Sequence, residues 1–139
     1  MSAASEGHVV ATEPVAERVT VIVRGVTLAD STGARRLHET GLPPRFYIPR
    51  SDIAMDRLVP TATTSHCPFK GDAVYWSAEV DGATVKDVAW SYPTPIPGRE
   101  DIAGLICFFD EKVDAIAVGD ETVAKPETPW SVLSDAEHP

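Results

Sequence analysis

The dipeptide Asp81-Gly82 constrains this chain most. Asp-Gly is a favoured pair for a type I′ turn, and it stands between two strand-like runs, Ala73–Val80 and Ala83–Tyr92. A two-residue loop would pair Val80 with Ala83, Ala78 with Val85, Trp76 with Asp87 and Val74 with Ala89. Side chains alternate along a strand, so these residues share one largely apolar face, which is expected to point to the core. The opposite face pairs Glu79 with Thr84, Ser77 with Lys86, Tyr75 with Val88 and Ala73 with Trp90. It is polar near the turn and aromatic at the far end, where Tyr92 continues the row.

A second hairpin is expected over Arg18–Ser31. Val19, Val21 and Val23 alternate with Thr20 and Ile22, and Arg24-Gly25 supplies the turn. Gly104–Phe109 and Val113–Val118 read as further strands. Pro97–Ile102 and Asp52–Leu58 each suit a single helical turn, and no helical stripe runs for three turns. Prolines at 43, 44, 49 and 60 exclude long regular structure between the hairpins. The expected fold is mainly β, with six to eight strands: a small partly closed barrel or two-sheet sandwich built from hairpins, with short helical turns. Residues 1–17 and 125–139 lack periodicity and read as a disordered and an irregular tail around one domain over 18–124, with Trp130 able to dock back on the body.

Composition narrows the function classes. The 139 residues carry 12 Lys+Arg against 21 Asp+Glu, a formal charge of −9, which argues against nucleic-acid and anionic-membrane partners. Neither a secretory signal nor a membrane-length apolar run is present, so a cytoplasmic location is expected. Two cysteines cannot build a disulfide framework or a four-cysteine zinc site. The charge is uneven. Segment 31–70 holds Arg35, Arg36, Arg45, Arg50, Arg57 and Lys70 against Glu39, Asp52 and Asp56, a net +3 that leaves −12 elsewhere. Such asymmetry marks a place where an anion is held, or else disperses on folding.

Chemistry concentrates in Thr63-Thr64-Ser65-His66-Cys67-Pro68-Phe69-Lys70-Gly71-Asp72. Cys67 is a candidate nucleophile and His66 its candidate base, although neighbours on an extended chain point to opposite faces. Burial of Cys67 as a small apolar side chain is the structural alternative. Arg50, Lys70, the Thr64 and Ser65 hydroxyls and Asp72 are candidate ligand contacts, with Tyr75, Trp90 and Tyr92 as a stacking wall. The competing structural role is a loop whose hydroxyls cap its own turns. The Lys-Gly order lacks P-loop spacing, and His66, Cys67 and Cys107 lack metal-ligand spacing, so neither a metal nor a cofactor is expected. Asp87, on the face assigned to the core, needs a partner, with Arg45, Arg50 and the Trp76 indole N–H as candidates. Ser51 or Asp52 suits a turn cap, and Arg50 a carboxylate pair.

Three ordered stretches, Glu39–Asp52, Thr64–Trp76 and Ala89–Pro93, resemble the family catalogued as domain of unknown function 427 over about residues 18–124. The resemblance implies a compact, mainly β domain, widespread in bacteria and found in some fungi, whose members are often labelled nucleotidyltransferase-like. This chain has no Gly-Ser followed by Asp-x-Asp, the pattern of metal-dependent nucleotidyltransferases. The expectation is a small-ligand protein, in its stronger form an enzyme, acting on an anionic or nucleotide-like planar metabolite through a His/Cys/Lys/Arg pocket. The alternative is a non-catalytic structural or protein-interaction module whose polar cluster only stabilises the fold.

Overall fold

In a computed structural model, residues 7–125 are described. Among these residues eleven strands form two antiparallel sheets: β1 (Val10–Pro14), β2 (Val19–Val23), β3 (Val26–Ser31), β4 (Arg35–Glu39), β5 (Arg45–Ile48), β6 (Leu58–Cys67), β7 (Gly71–Val80), β8 (Ala83–Ser91), β9 (Ile106–Phe108), β10 (Ala115–Val118) and β11 (Glu121–Thr122). The larger sheet has the order β1-β4-β5-β9-β8-β7-β6 and the smaller β11-β10-β2-β3. Neither closes into a barrel, so of the two expected architectures the fold is the sandwich. Among the described residues the helical content is three single 3₁₀ turns, at Arg50–Asp52, Met55–Arg57 and Glu100–Ile102. No helix among them is long and apolar enough to cross a membrane.

Both hairpin turns form where expected, with positive φ at Arg24 (49°) and Gly25 (79°), and at Asp81 (52°) and Gly82 (79°). The β7–β8 register departs from a simple hairpin. Val80↔Ala83, Glu79↔Thr84 and Ala78↔Val85 pair as expected, but Trp76 then meets Ala89 and Tyr75 meets Trp90. Between them β8 carries two extra residues, and Asp87 there has a φ of 47°. The expected Trp76–Asp87, Val74–Ala89, Tyr75–Val88 and Ala73–Trp90 pairs are therefore wrong. A bulge inserted into one strand shifts every later pair.

The N-terminal expectation fails as well. Val10–Pro14, inside the stretch read as a loose tail, forms β1 and pairs with β4 from Val10↔Glu39 to Pro14↔Arg35. The Val113–Val118 strand is shorter than expected, beginning at Ala115. Trp130 and the C-terminal stretch after Lys125 lie outside the described residues.

Alternation sorts the large sheet into two faces. Phe46, Ile48, Trp76, Ala78, Ile106 and Phe108 pack against Val19, Val21, Val23 and Ile116 of the small sheet, making the core. Their neighbours Tyr47, Tyr75 and Cys107 point the other way and join Leu37, Trp90, Tyr92, Ile102 and Phe109 in a second apolar cluster. Two buried layers thus share one sheet. The site lies in the second.

Candidate functional site

A cavity of about 210 Å³ opens on that second face. Five strands aim alternate side chains at it: Leu37 and Glu39 from β4, Arg45 and Tyr47 from β5, Ser65 and Cys67 from β6, Tyr75 from β7 and Trp90 from β8. Tyr92, Lys70 and Phe109 complete the wall, and Leu42 and Pro43 border it from the β4–β5 loop. Gly71, beside Lys70, has a φ of 129°, and a Cβ there would lie 3.1 Å from the Pro95 backbone. Only glycine fits that approach. It allows Ile96 N–H to donate to the Lys70 carbonyl (2.9 Å), tying the β6–β7 turn to the following loop.

The aromatic walls hold one another. The Trp90 indole N–H donates to the Tyr47 hydroxyl (3.2 Å), and the Trp90 ring lies 4.4 Å from Phe109. Ser65 and Tyr75 share a hydroxyl hydrogen bond of 2.8 Å. Burial pushes the Tyr47, Tyr75 and Tyr92 phenols above their usual range, so all three remain protonated at neutral pH.

Two ion-pair clusters border this apolar space. Lys70 Nζ donates to Glu39 Oε1 (2.5 Å), while Glu39 Oε2 meets His8 Nε2 (2.9 Å). The His8 ring stacks on Phe69 with centres 3.9 Å apart, docking the chain before β1 on the β6–β7 turn. Across the cavity Arg45 donates to both Glu111 carboxylate oxygens (2.8 and 3.0 Å) and to Asp110 (3.0 Å). Its guanidinium stands 5.5 Å from the Trp90 ring centre and 5.8 Å from that of Phe109. Burial works against the Arg45 charge, yet the Glu111 hydrogen bonds and the nearby carboxylates raise its pKa above the usual value. Burial also raises the Asp110 carboxyl, with Arg45 opposing it.

Of the residues singled out in the sequence, Cys67, His66, Ser65, Lys70, Tyr75, Trp90 and Tyr92 line the cavity. Arg50, Thr64 and Asp72 do not. Arg50 sits over the Trp76 ring, 5.5 Å from its centre, and Asp72 is hydrogen-bonded to His66 Nδ1 (2.7 Å) with both side chains largely in solvent. The His66 side chain is mostly exposed, and alternation turns its ring away from Cys67. Asp87 is held by hydroxyl groups. The Thr61 and Thr63 hydroxyls donate to its two oxygens (2.7 and 2.6 Å), and its backbone N–H donates to Ser77 Oγ (3.0 Å). Ser51 and Asp52 make no side-chain cap, and Asp52 instead accepts from Ser31 (2.7 Å).

Within segment 31–70 Lys70 pairs with Glu39, while Arg36 and Arg45 pair outside it, with Glu13 and with Asp110 and Glu111. Sequence reading missed Leu37, Glu39, Leu42, Pro43, Arg45, Tyr47 and Phe109 as cavity residues. Alternation in Arg45-Phe46-Tyr47-Ile48 was the available signal, hidden by the flanking prolines. Among the described residues no group of three or more His, Cys, Asp or Glu side chains is placed to share a metal ion.

Fold and site together define a two-sheet β domain with one aromatic-walled cavity on the outer face of its larger sheet. The chain belongs to the family described as domain of unknown function (DUF427), whose model matches residues 11–119. That span begins at β1, which pairs with β4 at the edge of the large sheet. No curated protein matches the chain.

The two thiols differ in surroundings. Cys67 is half-buried on the cavity wall, whereas Cys107 is fully buried in β9, where burial pushes its thiol well above the usual range. Iodoacetamide on the native protein at pH 8 is expected to label Cys67 at least roughly tenfold faster than Cys107, since access and thiolate fraction set the rate. Peptide mapping by mass spectrometry reads the difference, and equal rates would place Cys67 out of reach of the cavity.

Proposed function

We propose that this domain binds a small planar metabolite in the cavity, its ring lying among Tyr75, Trp90, Tyr92 and Phe109. The carrying observation is the cavity itself: a concave, mainly aromatic space with a few convergent polar groups is the ordinary form of a small-molecule site. Its volume of about 210 Å³ suits one ring system with a short substituent, such as the base of a nucleotide. Lys70, Ser65 and Cys67 supply the polar contacts. Cys67 is the group best placed to attack a bound electrophile, because it is the thiol on the wall. Arg50, Thr64 and Asp72 have no part in this reading.

Native mass spectrometry of the full chain after exposure to a metabolite extract tests it. A retained small molecule is expected in the wild-type protein and in Arg50→Ala, which lies outside the cavity. It should be lost in Trp90→Ala with its β-sheet circular dichroism intact. Retention by Trp90→Ala would put the ligand elsewhere.

A further inference from the structure

Charge at the cavity decides what kind of ring compound it accepts. The two clusters set Lys70 and Arg45 against the carboxyl groups of Glu39, Asp110 and Glu111, and of these residues Lys70, Arg45 and Glu39 line the cavity. The Glu111 and Glu39 side chains are 0% and 6% exposed, so solvent screens them little. Both cations have carboxylate partners, and each also stands near an aromatic ring of the wall, Arg45 over Trp90 and Lys70 5.9 Å from the Tyr92 centre. An anion entering this space would find both wall cations already paired with carboxylates, and would lose its own hydration in a poorly solvated, mainly aromatic site.

The hydrogen-bonding groups point the same way. Tyr92 lines the cavity, and its hydroxyl has no hydrogen-bond partner among the described residues. Lys70 uses one of its three N–H donors on Glu39. Lys70 can only donate and the Tyr92 hydroxyl can donate, so an acceptor on the ligand suits both.

Resting on the small-molecule reading above, we infer that the buried end of the ligand is an uncharged carbonyl, as in a cyclic amide, a pyridone or a pyrimidinone. The same cavity rejects carboxylate and phosphate analogues of equal size. This replaces the anionic ligand suggested by the basic segment, whose Lys70 and Arg45 charges are matched within the protein.

Benzamide and benzoate are matched probes, alike in ring and size and different in charge. The Trp90 indole N–H resonance reports binding in protein-observed NMR at pH 8. Benzamide is expected to shift that resonance saturably, with a Kd at least roughly tenfold below that of benzoate. In Glu39→Gln, which removes one negative charge and keeps the hydrogen-bonding shape, the ratio should fall at least roughly threefold. Benzoate binding as tightly as benzamide overturns the inference and leaves the small-molecule reading standing. A ratio unchanged in Glu39→Gln also overturns it, because discrimination would then come from shape. If neither probe moves the Trp90 resonance, the small-molecule reading itself fails.

Discussion

Arg45→Ala is expected to lower stability by about 3–5 kcal/mol, the usual cost of breaking a buried ion pair from one side. Arg45 is 8% exposed and anchors two carboxylates, of which the Glu111 side chain is fully buried. Removing the guanidinium leaves Glu111 and Asp110 facing each other with three charge-assisted hydrogen bonds gone. It also withdraws the cation from the Trp90 and Phe109 rings, which wall the cavity. Urea unfolding at pH 7 measures the loss, and a change below about 1.5 kcal/mol would show that the cluster is not the buried unit described here.

The opposite sign is expected when the surplus acid is removed. Burial raises the folded-state pKa of Asp110 above its unfolded value of about 3.9. The native state therefore holds that proton to higher pH than the unfolded state does. Asp110 accordingly makes the protein less stable as pH rises from the unfolded value through the raised folded one. Asp110→Asn removes this slope and keeps the bidentate Arg45–Glu111 pair, so at pH 7 it should be neutral or stabilising. Unfolding free energies of wild type and Asp110→Asn between pH 4 and 7 should diverge in that direction.

The contrast between these variants bears on what a sequence reveals. Asp81-Gly82 and Arg24-Gly25 were legible because a turn depends on its own residues, and both adopt the positive φ that their chemistry allows. The Tyr75, Trp90 and Tyr92 row was legible for a subtler reason. The β8 bulge shifts the register by two residues, and a shift of two leaves these aromatics on the face to which simple alternation assigns them. Which residue meets which was therefore misread, while the face was read correctly. The charge pattern was not legible. Arg45 meets acids 65 and 66 residues away, and Lys70 meets one 31 residues away, so linear charge density could not show that they are matched. β1 escaped notice because Val10-Ala11-Thr12-Glu13-Pro14 is a mostly exposed edge strand, held by pairing with β4 rather than by an apolar pattern of its own.

Asp87→Ala is the second change with a large expected effect, and it links the bulge to the cavity. Asp87 is fully buried, with its carboxylate between the Thr61 and Thr63 hydroxyls and its N–H on Ser77. Lys112 Nζ donates to the carbonyls of Lys86 and Asp87 (3.2 and 3.3 Å), fastening the bulge from outside. Aspartate tolerates the φ of 47° better than alanine does, because its short polar side chain hydrogen-bonds locally. Alanine removes the acceptor, strands two hydroxyls and keeps the backbone strain, a combined loss of roughly 2–4 kcal/mol. Asp87→Asn retains an acceptor and a residue suited to positive φ, so it should lose about half as much. The consequence reaches the cavity, because this bulge sets Trp90 opposite Tyr75. Without the two extra residues Trp90 would pair with Ala73, and the wall would lose its opposed aromatic pair. Asp87→Ala should therefore shift the Trp90 indole resonance and weaken benzamide binding, although its side chain is not among those lining the cavity. Urea unfolding and the same NMR titration read both effects. A stable Asp87→Ala protein with unaltered Trp90 resonance would show that the bulge is held by the Lys112 contacts and the flanking pairs alone.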